Sequence, residues 1–238
     1  MKHFTAICVS RISPRRTREE GSARPRPRDL PGLQYARPSP VQIAKTKKTQ
    51  ALVHADESIA LDEHGGLRLA IVADTHSHPH PKTASLIAAL RPAAILHAGD
   101  IGDLSVLDAL GKLAPVIAVR GNIDGRERGL PDVVTLDIRA GAESALKLLL
   151  MHIAVYGPKV RADAARLAHA SAAKLIVCGH SHVPFVGRDK GLTVFNPGSI
   201  GPRRMHLPIL FGILQIELGK LSLRHVDCET GRDWTPYP

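Results

Sequence analysis

The sequence predicts an α/β fold of two facing β-sheets with helices on the outside. Three features carry that expectation. From Gly66 onward, short apolar runs alternate with segments of helical spacing, and this β-α-β-α-β order gives parallel strands joined by crossover helices. Past residue 178 the alternation gives way to consecutive strands, which a second facing sheet would absorb. Five of the apolar runs end on a residue that can bind a metal, as expected where ligands collect outside the carboxyl ends of the strands.

The elements follow in order. Residues 67–73 form a continuous apolar strand. Residues 81–90 open on proline and carry apolar residues at helical spacing. Residues 93–97 are a second strand. Residues 104–113 are a second helix, with Leu104, Leu107, Ala109, Leu110 and Leu113 supplying one face. Residues 116–119 are a third strand. Residues 133–138 and 145–151 flank a Gly-Ala-Glu turn and read as a hairpin or adjacent strands. Residues 160–173 are a third helix, and residues 174–178 another buried strand. Short strands follow near 185–187, 192–195, 209–217 and 221–226. Residues 229–238 read as a polar, Pro-containing tail that frays.

Residues 1–65 read as a basic, Arg/Pro-rich disordered extension, and residues 66–228 as the single folded domain. Proline at the density of RPRPRDLPG and ARPSP forbids helix and sheet ladders. The alternatives are a start codon placed upstream of the true one, a transit peptide and a nucleic-acid-binding tail. The net charge of +10 belongs to this arm: residues 1–50 carry 12 of the 32 Lys and Arg but 3 of the 22 Asp and Glu. The folded part is nearly neutral, so nucleic acid is not the expected partner. Apolar residues make up 44% of the chain and aromatics 3%, so the core must rest on Ala, Val, Ile and Leu. Cys8, Cys178 and Cys228 are far apart and odd in number, which excludes a disulfide framework and a CxxC knuckle. That favours a reducing, cytoplasmic setting. No run approaches a membrane span, and the N-terminus lacks a secretory apolar segment.

The chemistry sits at the strand tips. RLAIVAD ends at Asp74, with His76 two further on. AAILHAGD ends at Asp100, where the preceding glycine allows a tight turn. VIAVRGN ends at Asn122, a neutral oxygen ligand, with Asp124 after it. LKLLLMH ends at His152. KLIVCGH ends at His180, followed by His182. Each residue alone suits an ordinary polar loop. Together, at one edge of one presumed sheet, the seven O/N ligands can hold two divalent cations side by side.

The order D-x-H, GD, GN-x-D, H, GHSH and NPGS resembles the calcineurin-like metallophosphoesterases, in particular their small bacterial and archaeal phosphodiesterase branch. There VRGN-x-D, a His followed by YGP, GHTH-x-P and NPGS-x-G-x-PR recur. Here they read VRGNID, His152 with VYGP, GHSHVP and NPGSIGPRR, and the resemblance covers about residues 67–226. It implies a four-layer αββα double β-sandwich, the calcineurin-like phosphoesterase fold. It implies that Asp74, His76, Asp100 and His182 hold one metal. Asp100, Asn122, His152 and His180 would hold the other, with Asp100 bridging. Mn²⁺ comes first, and Fe, Co, Ni, Zn or Mg is also compatible with the donors. The implied activity is phosphodiesterase hydrolysis of a small phosphodiester or nucleotide by a metal-activated bridging water. Asp100, Asn122 and Asp124 are the expected catalytic residues, Asp124 by orienting Asn122 or a water. Arg203 and Asn196, on the loop that also carries Ser199, are the expected substrate contacts.

Three departures bear on catalysis. The His that many relatives carry in GNH[ED] is Ile123 here, which cannot donate a proton. The usual HGH at the fifth tip is His152-Ile153-Ala154. The usual D-x-HG is followed here by Ser77 and His78. His78 and His80 are candidate replacement proton donors, although both lie in a Pro-flanked loop. The alternative function is therefore a catalytically weak scaffold or binding protein on the same fold. No membrane partner is expected, and the sequence sets no oligomeric state.

Overall fold

The computed structural model describes residues 51–126 and 129–236; the expected basic extension up to residue 50 lies outside them. The first elements are β1 (His54–Ala60), β2 (Leu67–Val72), α1 (Thr83–Leu90), β3 (Ala94–His97), α2 (Ser105–Gly111) and β4 (Val116–Ala118). There follow β5 (Val133–Ala140), β6 (Glu143–Met151), β7 (Val155–Tyr156), β8 (Lys159–Val160), α3 (Ala162–Ala170) and β9 (Leu175–Val177). The last are β10 (Phe185–Asp189), β11 (Leu192–Asn196), β12 (Leu210–Glu217), β13 (Lys220–Asp227) and β14 (Asp233–Trp234). One six-stranded sheet has the order β1-β5-β6-β9-β11-β10, and the other β14-β13-β12-β2-β3-β4.

The pleat sorts each strand's side chains into two layers. In and just after β2, Leu67, Leu69, Ile71 and Ala73 enter the core between the sheets, together with Leu148 and Leu150 of β6 and Leu175 and Val177 of β9. Ala70 and Val72 face the other way, into a cluster with Ile87 of α1 and Val106 and Leu110 of α2. Leu149 and Ile176 turn outward against Ala164, Ala165 and Ala168 of α3. Both faces of the central strands are covered, which is why they read as unbroken apolar runs. The result is the four-layer α-β-β-α sandwich. Among the described residues, no helix is long and apolar enough to cross a membrane.

Two sets of parallel neighbours matter for function. In one sheet β2 pairs β3 and β3 pairs β4, all parallel. In the other, β9 lies parallel to both β6 and β11.

Three boundaries differ from the sequence reading. The domain starts before residue 66, because β1 runs parallel to β5 with His54 opposite Val133. Ala55 and Ile59 of β1 pack on the core between the sheets. Asp132 anchors its entry by accepting from Val53 N at 2.8 Å. The run HADESIA has too few apolar residues to advertise an edge strand. The third helix starts at Ala162 rather than residue 160, because Gly157-Pro158 closes the β7–β8 hairpin just before it. The tail from residue 229 is not wholly frayed: Asp233 and Trp234 pair with Val226 and His225.

Candidate metal centre

The residues that follow β2, β3, β4, β6 and β9 converge at one end of the sandwich. Asp74, His76 and His182 offer ligand atoms that all lie within 4.8 Å of one another, and so do Asp74, Asp100 and His152. Asp100 faces two ways. Its Oδ1 is 3.2 Å from His152 Nε2, and its Oδ2 is 3.8 Å from His76 Nε2. His182 Nε2 lies 3.5 Å from Asp74 Oδ1 and 3.3 Å from His76 Nε2. Asn122 Nδ2 is 3.2 Å from His180 Nδ1, and the His180 ring meets the His152 ring edge-on at 5.2 Å. The seven positions at the strand tips are therefore one cluster. Asp74 belongs to both triads, so two carboxylates, not Asp100 alone, stand between the histidines.

The backbone is strained where these residues sit. Asp74, His76, Asp100, His180 and His182 have φ of 54°, 46°, 55°, 69° and 59°, in the left-handed region that non-glycine residues rarely enter. Surrounding hydrogen bonds hold them there. Asp74 accepts from His180 N at 3.0 Å, tying the β2 tip in one sheet to the β9 tip in the other. Ser199 Oγ donates to Asp74 O at 2.9 Å. Gly121 must be glycine, because a Cβ there would lie 2.1 Å from Asp100 N.

The donors fit divalent cations. His152 Nδ1 is 2.7 Å from Ala98 O, so it carries a proton and turns Nε2 toward Asp100, where a bound cation would take that nitrogen's lone pair. That Nε2, like His182 Nδ1, is buried without a hydrogen-bond partner among the described residues. A cation shared with the carboxylates would satisfy the orphaned His152 nitrogen. It would also relieve the facing Nε2 atoms of His76 and His182.

Without a cation the electrostatics are divided: burial disfavours a charged His152, but the hydrogen bond and charge of Asp100 outweigh it and raise the ring above the ordinary imidazole range. Burial pushes the Asp74 carboxyl up to about 7, against the pull of His152. Burial opposes ionisation of Asp100 too, but His152 and the N–H groups of Ile123 and Asn122 hold it below the usual carboxylate range. Burial, then the charges of Arg204 and His76, bring His182 down to about 4. Burial also lowers His76 and His180, favouring neutral rings able to ligate.

Other residues singled out from the sequence take different places. Asp124 is buried and accepts from Ile101 N, from Gly102 N at 3.0 Å and from Gly121 N at 2.7 Å. These bonds make it a clamp between the Asp100 and Asn122 loops. Asn196 is fully buried: its amide donates to Gly179 O at 2.7 Å and its oxygen accepts from Gly198 N at 2.9 Å. It holds the His180–His182 loop from a fully buried position that offers no exposed atom to a substrate. Arg203 pairs with Glu229 and donates to Leu207 O at 3.0 Å. The neighbouring Arg204 reaches the cluster instead, with Nη2 3.2 Å from His76 Nε2. Counting NPGS-x-G-x-PR along NPGSIGPRR puts the motif arginine on Arg204, so the signal was present one residue on. His80 Nδ1 accepts from Lys82 N at 3.4 Å within its own turn. Ala154 is buried against α3, and Ile123 is half exposed beside Asn122.

Two cavities differ in their relation to the cluster. One of about 190 Å³ is lined by Asn122, His152, Arg120 and Arg161, and so adjoins the cluster. The larger, about 650 Å³, lies between β1 and β4 and includes none of the seven residues. Convergent polar chemistry, not size, identifies the site.

The comparisons with known proteins agree with this geometry. A "Probable metallophosphoesterase" of Methanothermobacter thermautotrophicus is 32% identical over 163 residues, 65% of this chain and 88% of its own length. Vps29 of Entamoeba histolytica complexed with Zn²⁺ has a TM-score of 0.55 at 23% identity, covering 71% of this chain and 96% of that one. A novel archaeal phosphodiesterase has a TM-score of 0.52 at 20% identity, covering 68% and 99%. These two likenesses speak to fold. The model of the calcineurin-like phosphoesterase superfamily domain matches residues 67–219, from the first inner strand through the last motif loop, and the chain belongs to that superfamily.

Proposed function

We propose that this protein is a phosphodiesterase that hydrolyses a small phosphodiester or nucleotide with two divalent cations, Mn²⁺ first. The observation that carries the reading is Asp100, whose two oxygens face His152 on one side and His76 on the other. Asp74, His76, Asp100 and His182 would hold one cation. Asp100, Asn122, His152 and His180 would hold the other. When bound, such a pair supplies charge to offset that of the reacting phosphate and lowers the pKa of a coordinated water. The chain's own residues fix the ligands. Ala98 O sets the His152 tautomer, Asn196 sets the β9 tip, and Asp124 locks the loops after β3 and β4. The 190 Å³ cavity beside Asn122 and His152 supports a small ester group on that side.

Ile123 supplies no proton, so substrates with acidic leaving groups should react fastest. That side chain, with Ala154, also favours a second reading, a catalytically weak scaffold or binding protein on the same fold. The free, buried Cys178 and Cys228 support a reducing cytoplasmic setting.

Turnover of bis(p-nitrophenyl) phosphate decides between the readings. Metal-stripped protein should be inactive and Mn²⁺ should restore it. Asp100→Asn should lose bound metal and at least about 100-fold in rate. Full activity in metal-free protein rejects the metal mechanism, and no activity with any divalent metal rejects the enzyme.

A further inference from the structure

Arg204 brings a guanidinium to the edge of the ligand cluster. It lies on an exposed loop, yet its Nη2 is 3.2 Å from His76 Nε2. Its charge is felt by Asp74, His76, His180 and His182, the positions expected to surround two metals. Among the described residues it has no carboxylate within 4.0 Å. The two neighbouring arginines differ in this respect. Arg203 is paired with Glu229, and Arg161 on the other side of the cluster is paired with Asp163 at 2.8 Å. Of the three, Arg204 alone has no carboxylate at ion-pair distance among the described residues, and its one hydrogen-bond acceptor there is His76 Nε2.

Once cations occupy the cluster, a guanidinium at its edge is held there favourably when an anion lies between the positive charges. A guanidinium fork matches phosphate oxygens and keeps its charge at any working pH. From the exposed loop it can approach the side of a bound phosphate that faces solvent, while the ligand cluster takes the buried side. We infer that Arg204 binds the phosphate group of the substrate at the mouth of the metal centre, on the side of His76 and His182. The inference rests on the phosphodiesterase reading and deepens it. It assigns the contact with the solvent-facing side of the phosphate to one residue.

The test separates this role from the chemistry. Inorganic phosphate is titrated calorimetrically into the full-length Mn²⁺-loaded protein, with metal content measured for every variant. Arg204→Ala should weaken phosphate binding about tenfold or more at unchanged metal content. Arg204→Lys should fall between, because it keeps the charge and loses the fork. In turnover of bis(p-nitrophenyl) phosphate, Arg204→Ala should raise KM by a similar factor, and added guanidinium ion should partly restore it. Phosphate binding within twofold of wild type in Arg204→Ala overturns the inference. A larger loss in Arg203→Ala than in Arg204→Ala also overturns it, as does a wild-type protein that binds no phosphate. Phosphate binding that depends on Arg204 in a protein that hydrolyses nothing would uphold the anion contact and reject the enzyme.

Discussion

Asp124 and His97 show how buried polar residues around the cluster act through the backbone. Asp124 satisfies three backbone N–H groups from two loops, so its removal leaves several buried donors unpaired. Asp124→Ala is expected to lower stability by about 3 kcal/mol, measured by urea unfolding of the metal-free protein. A change below about 0.5 kcal/mol would return the residue to a direct catalytic role. His97 is fully buried: its Nδ1 accepts from Gly99 N at 3.2 Å, so its Nε2–H faces Thr75 Oγ1 at 3.0 Å. Protonation would set a second donor against Gly99 N–H, and burial pulls the ring down to about 4. The native state therefore binds fewer protons than the unfolded chain between about pH 6.5 and 4, and stability falls as pH drops through that window. Between pH 7 and 4.5 this group alone should cost about 2–3 kcal/mol. His97→Asn should show a shallower pH dependence by that amount in urea midpoints, and an unchanged slope would reject the assignment.

At the scale of elements, position along a strand decides what a side chain does. The runs after β2, β3, β4, β6 and β9 bury their apolar residues between and outside the sheets, then release a polar residue where the parallel strands end. This was legible because an unbroken apolar run followed by Asp, Asn or His needs only local sequence. β1 was not legible, since its place depends on pairing with β5, which is 79 residues later in the His54–Val133 register. The helix α3 adds a packing constraint that the sequence barely signals. Ala164, Ala165 and Ala168 are its buried face, so it lies close on β6 and β9. Ala168→Leu is expected to destabilise the domain by about 1–3 kcal/mol through overpacking, read from chemical unfolding. A neutral result would mean that α3 sits loosely on its sheet.

For the whole molecule, the charge distribution and the fold separate cleanly in the sequence. The basic excess lies in residues 1–50, while β1 begins at His54. A chain beginning at residue 51 should unfold at the same temperature as the full chain. One beginning at residue 62 loses β1 and bares the edge of β5, and its Tm should fall by more than about 5 °C. Equal melting of the two truncations would show that β1 adds nothing to the sandwich. By itself the sequence determined the layer architecture, through apolar periodicity, and the identity of seven residues that cluster, through their places at strand tips. Those are properties of single strands, written within ten residues. Only the tertiary structure decided which side chains are free to act. Asp124 and Asn196 are taken up by backbone groups, Arg203 is paired with Glu229, and Arg204 is turned toward His76. Hydrogen-bond partners lie 3 to 128 positions away in the chain in these cases, and no local pattern records whether a polar group is already satisfied.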